Sequence, residues 1–132
     1  MRLLLDTNVL LWLQTTPERV APHLDRILDP RSERLVSAAS SWEIAIKHAR
    51  GRLALPEPPS SYVPEAIRAI RGTPLAVEHG HALAVADLPA LHRDPFDRLL
   101  VAQARALDAV LLTGDEFLAR YPVRTLVAGQ RA

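Results

Sequence analysis

"RLLLDTNVLLWL", residues 2–13, decides how this chain folds. "RLLL" (2–5) is a short apolar run and reads as a buried strand. From Thr7, "TNVLLWLQ" reads as a helix that ends before "TTPE". Between the two stands Asp6, followed two residues later by Asn8. A carboxylate placed between buried elements costs free energy unless charge or hydrogen bonds compensate it. Asp6 therefore needs a partner.

The same alternation continues along the chain. Residues 18–29 read as a helix interrupted early by Pro22, "ERLVSA" (33–38) as a strand, and "SSWEIAIKHARG" (40–51) as a helix closed by Gly51. The proline-rich "LALPEPPSS" (53–61) reads as a loop and 61–72 as a helix ended by Gly72. "PLAV" (74–77) is a third strand candidate, 78–88 a helix and 89–94 a loop. "DPFDRLLVAQARAL" (94–107) is the clearest helix, with Asp94 as natural N-cap, Pro95 as first helical residue and Gln103 as a polar exception on its apolar period. "AVLLT" (109–113) is a fully apolar strand, 115–121 a short helix and "VRTL" (123–126) a last strand. Short apolar strands alternating with helices imply βαβ units. The expected fold is α/β: a three-layer α/β/α sandwich around a mostly parallel sheet of four to five strands.

Length and composition bound the function. The chain has 132 residues, enough for one domain over 1–132 with a real core, and 48% of them are hydrophobic. The absence of cysteine removes disulfides, thiolate metal sites and a cysteine nucleophile. No run approaches the ~18 apolar residues of a membrane span, and the N-terminus does not read as a signal peptide, so a cytoplasmic location is expected. The net charge is +1, which gives the whole chain no strong pull on polyanions. Its basic residues are Arg except for Lys47.

Four acids converge on one edge of the expected sheet. Open α/β sheets form sites beyond the carboxyl ends of their strands, where strand order reverses. Asp6 follows the first strand, and Asp115 lies two residues past "AVLLT". Glu43 and Asp97 sit in the first turns of helices. Such a cluster repels itself if ionised, and Mg²⁺ or Mn²⁺ resolves this with carboxylate and water oxygens alone. Each acid also has a plain structural reading. Ser40-x-x-Glu43 fits a capping box, Asp97 suits the helix dipole, and Asp115 caps the helix after it. The two kinds of reading are compatible, because helix N-termini also attract phosphate.

"LLLDTNVLLW", "SAASSWEIAIKHARGRL", "LPALHRDPFDRLLVAQA" and "LLTGDEFL" together resemble the motif blocks of PIN-domain proteins, and most nearly the VapC toxins of bacterial type II toxin–antitoxin systems. The blocks occur in the family's order and span nearly all of the chain. The resemblance implies a small α/β/α nuclease whose acidic quartet, here Asp6, Glu43, Asp97 and Asp115, binds Mg²⁺ or Mn²⁺. It implies a metal-dependent endoribonuclease that hydrolyses RNA phosphodiesters with an activated water and leaves 5′-phosphate and 3′-hydroxyl ends. Asp6 and Asp97 would hold the principal metal, with Glu43 and Asp115 completing the site. Asn8 matches a ligand- or water-orienting position, and Thr113 the small hydroxyl residue before the last acid. Asp94 is a cap first and a neighbour of the site second. The implied partners are RNA, a cognate antitoxin protein and a second copy in a homodimer.

Two other readings compete. A haloacid-dehalogenase-type phosphatase needs a second Asp where Asn8 stands. A non-enzymatic binding module, or a PIN nuclease that is not a toxin, would share the fold. The five histidines (23, 48, 79, 81 and 92) have no convincing zinc spacing and read as surface or structural. Lys47, Arg50, Arg93 and Arg98 flank the acid-bearing helices, as RNA contacts or as solvated charge. Trp12 and Trp42 read as core packing before base stacking. The stripes around Ile44, Ile46 and in "YVPEAIRAI" offer a dimer face or an antitoxin groove.

Overall fold

The computed structural model describes residues 1–91 and 93–128; His92, expected to be surface or structural, lies outside them. Its centre is a five-stranded parallel sheet in the order β3-β2-β1-β4-β5. The strands are β1 (Arg2–Leu5), β2 (Glu33–Ser37), β3 (Thr73–Leu75), β4 (Val110–Thr113) and β5 (Thr125–Val127). The helices are α1 (Thr7–Thr15), α2 (Leu24–Leu28), α3 (Ala38–Ala49), α4 (Pro59–Ala69), α5 (His79–Ala84) and α6 (Pro95–Ala106).

Side-chain alternation along β1 explains the layers. Leu3 and Leu5 face one core with Val36, Leu112 and residues of α1, α2 and α4. Leu4 faces a second core with Leu35, Leu111 and the buried side of α6. Because both faces of the sheet are covered, its central strands are apolar at successive positions between their ends, and that is why "RLLL" and "VLLT" show no polar alternation. The chain proceeds from β1 outward through β2 to β3, then returns to the other side of β1 as β4 and β5. The order therefore reverses between β1 and β4, and the crevice at their carboxyl ends is the position where α/β sheets bind ligands.

Several boundaries differ from those expected. The helix expected over 18–29 is a 3₁₀ segment, Pro17–His23, followed by the short α2, since Pro22 denies the backbone a continuous α-helical ladder. The loop expected over 53–61 ends earlier. Pro59 is the first helical residue of α4, where its missing N–H costs nothing. Past α4 it is Arg71, with φ 51°, and not Gly72 that takes the left-handed conformation. The helix expected over 115–121 is a 3₁₀ turn, Glu116–Arg120, and that over 78–88 splits into α5 and a 3₁₀ turn, Val85–Asp87. Among the described residues no helix is long and apolar enough to cross a membrane.

Gln103, the polar exception in α6, is fully buried. Its Oε1 accepts from the Ser37 hydroxyl at 2.6 Å, and its amide nitrogen donates to the Ala76 carbonyl at 3.2 Å and lies 3.2 Å from His81 Nδ1. One side chain thus ties α6 to the end of β2, the exit of β3 and α5. His81 also accepts the Glu78 backbone N–H, so it is a structural histidine. His23 is likewise buried, against the Val127 carbonyl. Replacing Gln103 by Ala strands these partners and opens a cavity. The expected loss is about 2–4 kcal/mol, read as a lower urea midpoint at an unchanged m-value.

Candidate active site

Asp6 leaves β1 at the reversal of strand order and is 5% exposed. Its backbone N–H extends the ladder to the Leu112 carbonyl at 2.9 Å, which fixes where the side chain starts. As N-cap of α1, its Oδ1 accepts the Val9 N–H at 2.8 Å. Its Oδ2 accepts the Thr113 hydroxyl and, at 3.2 Å, the Gly114 N–H. All three donors are neutral. Among the described residues no cationic side chain pairs with Asp6. Burial raises its pKa above the usual carboxylate value, the three donors oppose that rise, and the nearby Glu43 charge adds to it.

Glu43 projects from α3 and is also buried. Its Oε1 accepts the Thr7 hydroxyl at 2.6 Å, and its Oε2 pairs with Lys47 Nζ at 2.6 Å, one helical turn on. The capping-box reading of Ser40 and Glu43 is overturned. The cap of α3 is Ser37, whose hydroxyl accepts from Ala39 N, while Ser40 lies inside the helix with its hydroxyl 3.0 Å from that of Thr7. Glu43 is therefore free of capping duty, and its charge reaches Asp6. The Glu43 hydrogen bond raises the Lys47 pKa against the opposing effect of burial, helped by the charges of Glu43, Asp94 and Asp97.

Asp94 caps α6 through the Phe96 and Asp97 N–H groups, as its position beside Pro95 requires. This places Asp97 in the first turn of α6, half-buried and within electrostatic reach of Lys47. Asp115 is half-buried and accepts the Phe117 N–H at 2.9 Å. Its own N–H donates to Thr113 Oγ1 at 3.0 Å, so one hydroxyl links Asp115 to Asp6. Asn8 is exposed in the first turn of α1.

The donor set is all oxygen and strongly acidic, which suits a hard divalent cation. Among the described residues no three acidic or histidine side chains close around a common point. The arrangement is an open one: the Glu43 charge reaches Asp6, the Asp97 charge reaches Lys47, and the Thr113 hydroxyl links Asp115 to Asp6. Mg²⁺ keeps several waters and needs only one or two direct carboxylates, so an open acidic site is compatible with it.

Three residues depart from the sequence reading. Trp42 is 61% exposed rather than core, because it lies on the face of α3 turned away from the sheet. Arg98 does not face the acids. Its guanidinium donates to the Pro89 and Val85 carbonyls and to Tyr121 Oη, so it ties α6 to the Val85–Asp87 turn and to Pro89. Thr7 was missed, although a hydroxyl directly after a buried carboxylate was the available signal. Trp12 does pack against the core, with its ring close to Gly114 and the Arg19 guanidinium 5.1 Å above it. The stripe of α4 turns Tyr62, Val63 and Ala66 into the core, and Ile44 of α3 is buried there too.

A family model, PIN domain, matches residues 3–123. A curated relative, Ribonuclease VapC16 of Mycobacterium tuberculosis, is 49% identical over 55 residues, which is 42% of this chain and 39% of the relative's length. The fold is similar to that of VapBC2 from Rickettsia felis, solved bound to a DNA fragment from its promoter, with a TM-score of 0.74 at 15% identity over 97% of this chain and 99% of the other. It is also similar to FitAcB from Neisseria gonorrhoeae, with a TM-score of 0.63 at 22% identity over 94% and 96%.

Two outcomes follow from the packing and charge of Asp6. A Cβ at position 114 would stand 2.3 Å from the Trp12 ring, so Gly114→Ala should destabilise by about 1–3 kcal/mol, seen as a lower unfolding midpoint. Asp6 holds its proton more tightly folded than unfolded, so its protonation favours the folded chain. That contribution is complete below the ordinary aspartate value of 3.8 and is lost as pH rises through the higher folded value. In chelator, the stability of Asp6→Asn relative to wild type should climb over this window. A difference that stays flat with pH contradicts the raised pKa.

Proposed function

Because the chain belongs to the PIN-domain family, we propose that it is a metal-dependent endoribonuclease and the toxin component of a type II toxin–antitoxin pair. The observation that carries this reading is Asp6: a buried carboxylate at the strand-order reversal, held by neutral donors only and facing a second buried acid. Two such acids need positive charge between them, and an RNA-cleaving site needs that charge beside a phosphate. Similarity to a ribonuclease over the matched 55 residues supports the same reading.

Asp6 and Asp97 are the proposed principal ligands of Mg²⁺ or Mn²⁺, with Glu43 and Asp115 completing the site directly or through water. A divalent ion bound there supplies Lewis acidity, lowering the pKa of water and offsetting charge that builds on the phosphodiester. The protein's part is to hold oxygen atoms still. The Val9 and Gly114 N–H groups and the Thr113 hydroxyl fix both Asp6 oxygens, so the carboxylate has no rotational freedom to lose on binding. Thr7 and Lys47 do the same for Glu43. Lys47 also keeps the acidic cluster from repelling RNA. Asn8, exposed beside Asp6, orients water or substrate. Asp94 sets the position of Asp97 through its cap. Structural likeness to VapBC2 and FitAcB supports a cognate antitoxin as partner, and a homodimer is the assembly proposed for the toxin itself.

Purified protein with Mg²⁺ or Mn²⁺ should cleave RNA to products with 5′-phosphate ends. Asp6→Asn and Asp97→Asn should each lower the rate by on the order of a hundredfold or more, since even outer-shell changes at metal sites cost 10–100-fold. Mn²⁺ should raise the melting temperature of wild type and leave that of Asp6→Asn unmoved. Wild type and Asp6→Asn that are equally inactive across several metals and RNAs would sink the proposal.

A further inference from the structure

Beside the acidic site, α3 and the start of α6 enclose an open groove of about 350 Å³. Lys47, Arg50, Arg52 and Arg93 line it with the Phe96 ring, against two acids, Glu43 and Asp94. Lys47 is committed to Glu43. Among the described residues no carboxylate pairs with Arg50, Arg52 or Arg93. The chain as a whole carries only +1, so this is a local excess of positive charge. At the groove's edge the Trp42 ring meets Phe96 at a centroid distance of 5.2 Å and 73°. The contact holds the indole in place and leaves it 61% exposed. Each aromatic immediately precedes an acid of the site: Trp42 before Glu43, and Phe96 before Asp97.

Guanidinium groups gathered on one groove attract a polyanion, and an exposed indole offers a flat face to a nucleobase. A duplex hides its base faces in the stack, whereas an unpaired strand presents them. A protein surface laid over the groove would have to desolvate three guanidinium groups that no carboxylate pairs with among the described residues, and bring carboxylates of its own to meet them. Charge complementarity and the aromatic edge thus agree on one occupant.

We propose that this groove is a binding site for single-stranded RNA, in which Arg50, Arg52 and Arg93 contact backbone phosphates and Trp42 stacks on an unpaired base next to the linkage cleaved. The inference rests on the ribonuclease reading for the identity of the neighbouring acids. It adds that the substrate must be unpaired on the Trp42 side of the cleaved bond.

The test is binding in chelator, where no cleavage competes, with a short oligouridylate and an RNA duplex of equal length as probes. Oligouridylate should quench wild-type tryptophan emission. Trp42→Ala should abolish that quenching and weaken oligouridylate binding about tenfold, within the range for loss of one stacked base, while leaving duplex binding and the melting temperature unchanged. Trp42→Phe should recover most of the affinity. Arg50→Ala should flatten the slope of log affinity against log salt by about 0.7, the single-strand value for one phosphate contact. Unchanged oligouridylate affinity in Trp42→Ala overturns the proposal, as does an equal loss for duplex. It also fails if Trp42→Ala changes the sedimentation of the protein and not its RNA affinity, because the indole then belongs to an interface between copies. Intact binding without cleavage under any metal removes the ribonuclease reading alone. Cleavage that persists with Trp42-independent binding removes this proposal alone.

Discussion

The structure is organised around the cost of burying one carboxylate. Asp6 has to sit where β1 ends, because the preceding three leucines occupy both cores and leave no freedom to shift register. Burial alone would drive its proton back on. Three neutral donors from two separated segments prevent full loss of the charged form: the first turn of α1 supplies one, the end of β4 a second and the residue after it a third. The pairing of β1 with β4 is thus both a backbone ladder and the device that completes the environment of Asp6.

Other features follow from this constraint. Thr113 must carry a hydroxyl at the end of an otherwise apolar strand. Position 114 must be small, because the Trp12 ring backs it while its N–H faces Asp6. A second buried acid, Glu43, needs its own partners, and Thr7 and Lys47 meet that need from opposite sides. The Ser37–Gln103 hydrogen bond holds α6 against the end of β2, and with it the helix whose first turn carries Asp97. Structural polar groups and site polar groups thus form neighbouring networks at one edge of the sheet.

Much of the fold was legible because its signals are local. The apolar runs of β1 and β4 need no partner information to read as buried strands, and the Asp94–Pro95 start of α6 is set by capping chemistry within a few residues. The five-stranded parallel sheet lies within the four to five strands expected. Less legible was "PPSSYVPEAIRAI", where prolines that usually break helices instead sit at the start of α4 and tolerate Pro64 within it. The cap of α3 was misread because Ser37 and Ser40 are equivalent in sequence, and only the end of β2 decides which one stands outside the helix.

By itself the sequence determined the alternation of strands and helices, the apolar centre of the sheet, the acids that stand just past strand ends and Asp97 in a first helical turn, but not Glu43, expected in a first turn and found in the second because α3 starts at Ala38. These are consequences of periodicity and capping, which act over a few residues. Tertiary structure alone decided which polar groups meet. It joined Thr113 to Asp6 across 107 positions, gave Glu43 to Thr7 and Lys47, turned Arg98 onto the carbonyls of a loop and left Trp42 facing solvent beside three arginines. The reason is physical: hydrogen bonds and ion pairs depend on distances that the crossover connections of a parallel sheet create, and no local pattern encodes those distances.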